Sequence, residues 1–190
     1  MNIQLPDARN YPHIAVRAGG FTLIELMITI AIVAVIAMIG IPAMGDFILN
    51  NRIRSQSGNL MLQLAHARSE AMRTASRVTI CPGTTGSGCA GSAWESGWVA
   101  FIDTNTNAAL DSGETVISVS AALDGNNTLR SAVFSTYISF RHDGGSVDIS
   151  GVGQAGSFSL CDSRGFGTDA RAIVITVTGR IKVLIANAAG

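Results

Sequence analysis

Charge is what this sequence has least of. Asp, Glu, Lys and Arg together make up 14% of its 190 residues, against about 25% in an ordinary soluble domain. The 13 basic and 13 acidic side chains cancel, which excludes a generally basic nucleic-acid binder and an acidic solvating tail. A charge-driven partner therefore has to be met by a local patch. Cysteine is scarce as well: three residues are too few for a zinc-finger framework or a disulfide-dense scaffold. What is plentiful is apolar surface, with 47% hydrophobic residues, far too many for a disordered chain. A length of 190 residues holds one domain of ordinary size and one appendage.

The missing charge is found near the front. From Leu26 to Gly45 twenty residues pass without a charge. As a helix at 1.5 Å per residue they span roughly 30 Å, the thickness of a bilayer core. A buried core helix seldom exceeds about 14 apolar residues without a polar face, so the run predicts a membrane helix. Its flanks are the reverse of a secretory signal, which puts small residues and the cleavage site after the apolar run. Here Gly19-Gly20 precede the run, and a polar leader carrying Asp7, Arg9 and Arg17 precedes them. A cut after Gly20 would remove residues 1–20 and leave the helix on the mature chain. Arg17 favours a cytoplasmic N-terminus, with the remainder of the chain across the membrane. Glu25, fifth after that cut, sits within the apolar stretch, where an unpaired charge costs at least ~2.5 kcal/mol. Either it stays solvated near the headgroups or it needs a cation. The freshly cut amine of Phe21 on a neighbouring subunit would serve, and would fix the register between stacked subunits.

The stretch Gly20-Phe21-Thr22-Leu23-Ile24-Glu25-Leu26, followed by the apolar run with Pro42, resembles the prepilin cleavage and methylation motif of type IV pilins and type II secretion pseudopilins. The resemblance implies that a prepilin peptidase cuts between Gly20 and Phe21 and methylates the amine of Phe21. It also implies that Glu25 pairs with that amine in a filament. The leader departs from the common form in being longer and less basic.

Apolar periodicity continues past the bilayer. Phe47, Ile48, Ile53, Leu60, Met61, Leu64, Ala65, Ala71 and Met72 recur at helical spacing, with Arg52, Arg54, Gln56, Arg68 and Arg73 mostly off the stripe. The pattern predicts a helix from Phe21 to about Arg77. Its residues 21–45 form the transmembrane half and residues 46–77 the amphipathic half, and Gly40 and Pro42 should kink or loosen it. Beyond lie short β-rich runs separated by Gly, Ser, Asn and Asp: Val78–Cys81, Trp98–Ile102, Thr115–Ser120, Leu129–Phe134, Ile138–Phe140, Ser157–Cys161, Ala172–Val177 and Arg180–Ile185. Thr178-Gly179 reads as a tight hairpin between the last two. The fold class is α+β and pilin-like, a long N-terminal helix packed on an antiparallel β-sheet head spanning residues 78–190.

The head in turn resembles the GspH/FimT family of minor pilins and pseudopilins. The carriers are Ala67–Ala71, Cys81-Pro82, Gly97–Asp103, Gly113-Glu114, Leu160-Cys161-Asp162 and Thr178-Gly179-Arg180.

Three cysteines in an oxidising compartment allow three single pairings among Cys81, Cys89 and Cys161, and spacing alone does not choose between them. The flexible Pro/Gly/Ser/Thr loop between Cys81 and Cys89 makes that pair the favoured one. Asp103, Asn105, Asn107, Asp111 and Glu114 fall at positions 1, 3, 5, 9 and 12 of an EF-hand-like calcium loop. Position 6 is Ala108 where Gly is wanted, and strand-like runs flank the loop, so a solvated hairpin loop is the plainer reading. Gly151-Val-Gly153-Gln-Ala-Gly156 spells a dinucleotide fingerprint but precedes a strand-like run, and reads as a loop. His13 lies in the leader, His66 on the helix and His142 in a turn beside Asp143, and no Ser or Cys nucleophile has a recognisable base. An enzyme is not expected, nor a cofactor or a metal centre beyond that calcium alternative.

Charge is unevenly spread along the neutral chain. Arg52 to Arg77 holds five Arg and one acid, Val78 to Leu129 five acids and no base, and Arg130 onward six bases and four acids. Strand alternation puts Arg180 and Lys182 on one face beside the Gly179 turn, where two cations could grip neighbouring phosphates without reading bases. Arg171 and Arg164 would add to them. DNA-binding members of the FimT kind carry Gly-Arg-x-Arg there; Gly179-Arg180-Ile181-Lys182 keeps the charge and loses one bidentate fork.

Together these features read as a minor pilin or pseudopilin, a structural subunit of the tip or priming complex of a type IV pilus or type II secretion pseudopilus. The resemblance implies other minor and major pilins or pseudopilins, the prepilin peptidase and inner-membrane lipid as partners. It implies a single-pass inner-membrane protein with a periplasmic head that then enters the filament. The alternative is a DNA-binding minor pilin of a transformation pilus.

Overall fold

A threonine starts the long helix. Thr22 Oγ1 accepts the backbone N–H of Glu25 at 3.2 Å, satisfying one of the donors that a helix start leaves orphaned, and the Thr22 carbonyl accepts that of Leu26 at 3.1 Å as the first bond of the helical ladder. The structure is a computed structural model that describes residues 20–89, 91, 93–167 and 169–185, with the backbone alone for Pro42 and Ala43. Leader residues 1–19, including Arg17, His13 and Gly19, lie outside the described residues. Helix α1 is Leu23–Thr74. It ends where Ala75 turns left-handed at φ 51° and the Ser76 N–H reaches back to the Ala71 carbonyl at 3.3 Å, the 6→1 closure of a Schellman motif.

By its contacts the chain divides into Met1–Met44 and Gly45–Gly190. The described part of the first unit enters helix at Leu23 and stays in it throughout. In the second unit the helix buries Ile53, Ser57, Leu60, Leu64, Ala67 and Ala71, at alternating steps of four and three, so one face points inward at every turn. That stripe differs from the expected one. Phe47, Ile48, Met61, Ala65 and Met72 are exposed, while Ser57 and Ala67, small enough for close approach to a sheet, take their places.

One sheet joins β1 (Val78–Pro82), β2 (Trp98–Ile102), β3 (Val116–Ser120), β5 (Ile138–Phe140) and β6 (Ser146–Val147) in the order β3-β2-β1-β5-β6. A second joins β4 (Thr128–Arg130), β7 (Gly156–Cys161), β8 (Arg171–Ile175) and β9 (Ile181–Ile185) in the order β4-β7-β8-β9. Every pairing is antiparallel. The helix stripe and both sheets share one core, in which the Trp94 ring meets Phe158 edge-on at 4.8 Å and Phe134 stacks on Phe158 at 5.4 Å. The Trp94 indole donates to the Phe134 carbonyl at 2.8 Å, and the Trp98 indole to Gln63 Oε1 at 2.6 Å, so neither buried N–H is left unpaired. These residues form the α+β, helix-on-antiparallel-sheet fold that the sequence pattern predicts.

Three details depart from expectation. Strand β4 stops at Arg130 and does not run to Phe134, because Ser131 Oγ accepts the Phe134 N–H at 2.9 Å and closes a turn that leaves the Phe134 ring buried. The short β6 has no alternating signature in the sequence. The β8–β9 connection is longer than a two-residue turn: Gly179 donates to the Thr176 carbonyl at 2.8 Å and Thr176 to the Arg180 carbonyl at 3.0 Å, with Gly179 at φ 72°, the form of a turn closed by a glycine bulge.

Candidate functional site

The cleavage motif doubles as a helix start. Gly20 and Phe21 precede α1, Phe21 is 84% exposed, and Thr22 caps. Glu25 lies in the first turn, where a negative charge also opposes the positive end of the helix dipole. The sequence reading gave Glu25 a register role and missed Thr22; the Thr-x-x-Glu spacing of a capping box was the available signal. From Leu23 to Ile41 every side chain is exposed except the half-buried Ala37. A helix apolar all round, on which nothing packs among the described residues, has to be covered by lipid or by other helices. Pro42 lies within α1, where it removes one helical hydrogen bond.

In the second unit the β8–β9 hairpin is docked by an arginine. Arg68, on the helix, donates from Nε to the Gly144 carbonyl at 2.8 Å and from Nη2 to the Thr178 carbonyl at 3.2 Å. A Cβ on Gly179 would lie 1.9 Å from the Gly144 oxygen, so only glycine fits there. The glycine of the Gly179-Arg180-Ile181-Lys182 motif is thus needed for docking, and no pattern in the sequence links Arg68 to it.

The four candidate phosphate contacts fall into two kinds. Arg180 and Lys182 are exposed, and among the described residues their charged ends have no partner. Arg171 donates to the carbonyls of Asp169 and Ala170 at 2.7 and 3.2 Å. Arg164 is enclosed by acceptors: Asp162 at 2.6 Å, Asn50 at 2.9 Å, Asp169 at 3.2 Å and Asp46 at 3.9 Å. The Arg164 guanidinium holds the Asp162 carboxyl below its ordinary pKa, and its bonds to Asn50 and Asp46 tie the β7–β8 loop to the first turns of the helix beyond Gly45.

The disulfide joins Cys81 to Cys89. Cys161 carries a free thiol, which burial and then the neighbouring Asp162 charge push to higher pKa.

The loop proposed for calcium uses its oxygens on itself. Asp103 accepts from Thr79 Oγ1 at 2.7 Å and from the N–H groups of Asn107 and Ala108 at 3.1 Å each. Asp111 accepts from the side chains of Asn105 and Asn107 at 2.7 and 2.8 Å, and these bonds lower its pKa. Glu114 accepts the N–H groups of Thr104 and Asp111 at 2.8 and 3.1 Å. The carboxylates are turned to the backbone they hold, and Asp103 is a buried anchor beneath β1 and β5, bonded to Thr79, which also bonds Ser139 at 2.7 Å. Gly151 to Gly156 is a turn leading into β7 with no helix after it. A shallow groove of about 650 Å³ along Ala155–Ser157 and Val174–Thr178 contains no titratable side chain.

Known proteins match both parts of this chain. A family model described as type II transport protein GspH matches residues 56–179, and one described as the prokaryotic N-terminal methylation motif matches residues 16–41. The fold is similar to the crystal structure of the type IV minor pilin FimU of Pseudomonas aeruginosa, with TM-score 0.55 and 19% identity over 72% of this chain and 91% of that one. It is also similar to the minor pseudopilin EpsH from the type 2 secretion system of Vibrio cholerae, with TM-score 0.50 and 9% identity over 70% of this chain and 97% of that one. Identities this low speak for the shared fold, a long helix carried on antiparallel sheets.

Proposed function

We propose the following mechanism from a plain premise: the chain belongs to the type II transport protein GspH family and carries the prokaryotic N-terminal methylation motif. It is a membrane-anchored minor pilin or pseudopilin of the type IV pilus or type II secretion class, and it assembles with other pilins. Prepilin peptidase cuts after Gly20 and methylates the new amine of Phe21. Residues 21–45 hold the protein in the inner membrane with the head in the periplasm. On assembly Glu25 pairs with the Phe21 amine of a neighbour, and the apolar helix leaves lipid for the helices of other subunits. The work is positional: the family model and the similar structures are those of transport and pilin subunits, and the function assigned to this chain is assembly.

The observation that supports this reading most is the helix from Leu23 to Ile41, apolar and exposed on all sides with Glu25 its one charge. An intramembrane carboxylate without a partner is unfavourable by at least ~2.5 kcal/mol, and a partner amine at the helix start of the adjacent subunit removes that penalty. Co-expression with a prepilin peptidase tests the processing step. The expected product is a mature chain whose intact mass begins at N-methyl-Phe21. An unprocessed chain, or a cut elsewhere, would defeat the proposal.

DNA contact is a second reading, favoured by the free cationic ends of Arg180 and Lys182 alone, since Arg164 and Arg171 are held internally.

A further inference from the structure

The seven phenylalanines of this chain fall into two sharply separated sets. Phe101, Phe134, Phe140 and Phe158 are 0% exposed in the head core, whereas Phe21, Phe47 and Phe166 are 84%, 60% and 70% exposed. Two of the exposed three bracket the apolar run: Phe21 precedes it and Phe47 stands two residues past Gly45. An apolar ring such as Phe, exposed at a membrane surface, buries into the headgroup–acyl boundary as the Trp, Phe and Leu side chains of interfacial helices do. Phe166 is far away in sequence, yet within the second unit its loop lies beside the helix residues that flank Phe47. It follows Arg164 by two residues in the loop between β7 and β8, and Arg164 is bonded to Asn50 at 2.9 Å and paired with Asp46 at 3.9 Å. Those helix residues occupy the first turns after the apolar run ends. The ring is carried on Gly165-Phe166-Gly167, with open space around both glycines, and among the described residues it is 70% exposed.

We propose that Phe166 is an interfacial anchor, a ring from the head that enters the headgroup–acyl boundary of the bilayer beside Phe47 before the subunit is drawn into a filament. This rests on the membrane-anchored reading above and adds a second contact with lipid, made by the head. The contact is apolar in kind. Arg164, two residues away in the chain, already faces Asp162, Asp169 and Asp46, and with Arg52 acting on Asp162 two arginines meet three aspartates, so this edge of the head has no net positive charge with which to attract anionic lipid. A zwitterionic surface is therefore sufficient. Tethering the loop to Asp46 and Asn50 keeps the ring beside the start of the second unit's helix.

The test uses the full chain reconstituted in phosphatidylcholine vesicles containing lipid brominated at shallow or deep acyl positions. A Phe166→Trp chain is compared with a Val152→Trp chain. Val152 is also exposed but lies in the turn held by Arg77, which donates to the Asp148 carbonyl at 3.0 Å beyond the other end of the helix, roughly 40 Å from Asp46 along the helix axis. The native Trp94 and Trp98 are buried and contribute the same background to both, read from the parent chain. The expected result is blue-shifted emission from Phe166→Trp, quenched by shallow bromolipid at least twofold more than Val152→Trp and unchanged in 1 M salt. Equal quenching at the two sites in chains that co-float with the vesicles overturns the interfacial anchor and leaves the membrane helix standing. Failure of both chains to co-float overturns the membrane-anchored reading, and this proposal with it.

Discussion

Between Leu23 and Ile41 the helix presents Leu, Ile, Val and Met to every side with almost nothing buried, whereas between Ile53 and Ala71 it buries one face in strict steps of four and three. Both stretches belong to one continuous α1, so helix propensity does not separate them. What separates them is where their partner lies. The first stretch has no apolar-to-polar alternation because its surroundings are meant to be apolar throughout, as lipid or other helices are. The second has a polar face because one side meets the sheets of its own chain and the other meets water. The apolar content of a helix thus says little about self-sufficiency; its angular distribution says a great deal.

The strongest way to break that comparison is to cross mutations between the two stretches. Leu64→Ala removes a fully buried side chain from the core and should cost the head about 3 kcal/mol, lowering its melting temperature in detergent by roughly 6–12 °C. Glu25→Ala should leave that melting temperature alone and reduce incorporation into sheared filaments by tenfold or more. If Glu25→Ala chains enter filaments normally, the partner of the first stretch does not read its carboxylate, and the register argument is lost.

A smaller effect isolates the hairpin. Gly179→Ala places a Cβ against the Gly144 carbonyl at a positive φ and should destabilise the head by about 2 kcal/mol. Gly165→Ala serves as the control, since φ is 83° there but nothing lies within 4 Å. It should cost only the left-handed strain, about 1 kcal/mol. Equal losses in thermal melts would mean that the clash is relieved by a small shift and that Arg68 does not fix the hairpin.

Much of this was legible from residues alone, for identifiable reasons. The apolar run, the N-terminal methylation motif and the helix-then-strands order are contiguous patterns, and contiguous patterns survive in one dimension. So do Trp98–Ile102 and Ile138–Phe140, which the structure starts and stops where the sequence pattern does. What escaped depends on residues distant in sequence. Ser57 and Ala67 were passed over as helix-face residues because burial of a small side chain is decided by the sheet opposite. Asp103 looked like a loop ligand because its acceptance of Thr79 and two backbone N–H groups needs strands that the sequence does not place. Arg164 and Lys182 looked alike as cations. One is enclosed by Asp46, Asn50, Asp162 and Asp169, and the other faces solvent.

The smallest expected effect sharpens the same contrast through pH. Asp162 is a buried carboxylate paired with Arg164, and that hydrogen bond lowers its pKa in the folded head. An unfolded Asp titrates near 3.9. Because the folded value lies below the unfolded one, the pair contributes its full stability above about pH 4, and loses it as pH falls through the folded value. Acid should therefore destabilise the head progressively below about pH 4, and Asp162→Asn should flatten that part of the profile while weakening the head at neutral pH by less than Gly179→Ala does. The effect belongs to the second unit, where Arg164 reaches Asn50 one turn before the buried stripe begins, and so the loop carrying Phe166 should loosen over the same pH range. A pH series of hydrogen exchange at the Arg164–Gly167 amides reads this directly. Protection that falls below pH 4 in the parent chain, and is already low at neutral pH in Asp162→Asn, would mark the ion pair as the tether. Unchanged protection would leave the loop held by its turn alone.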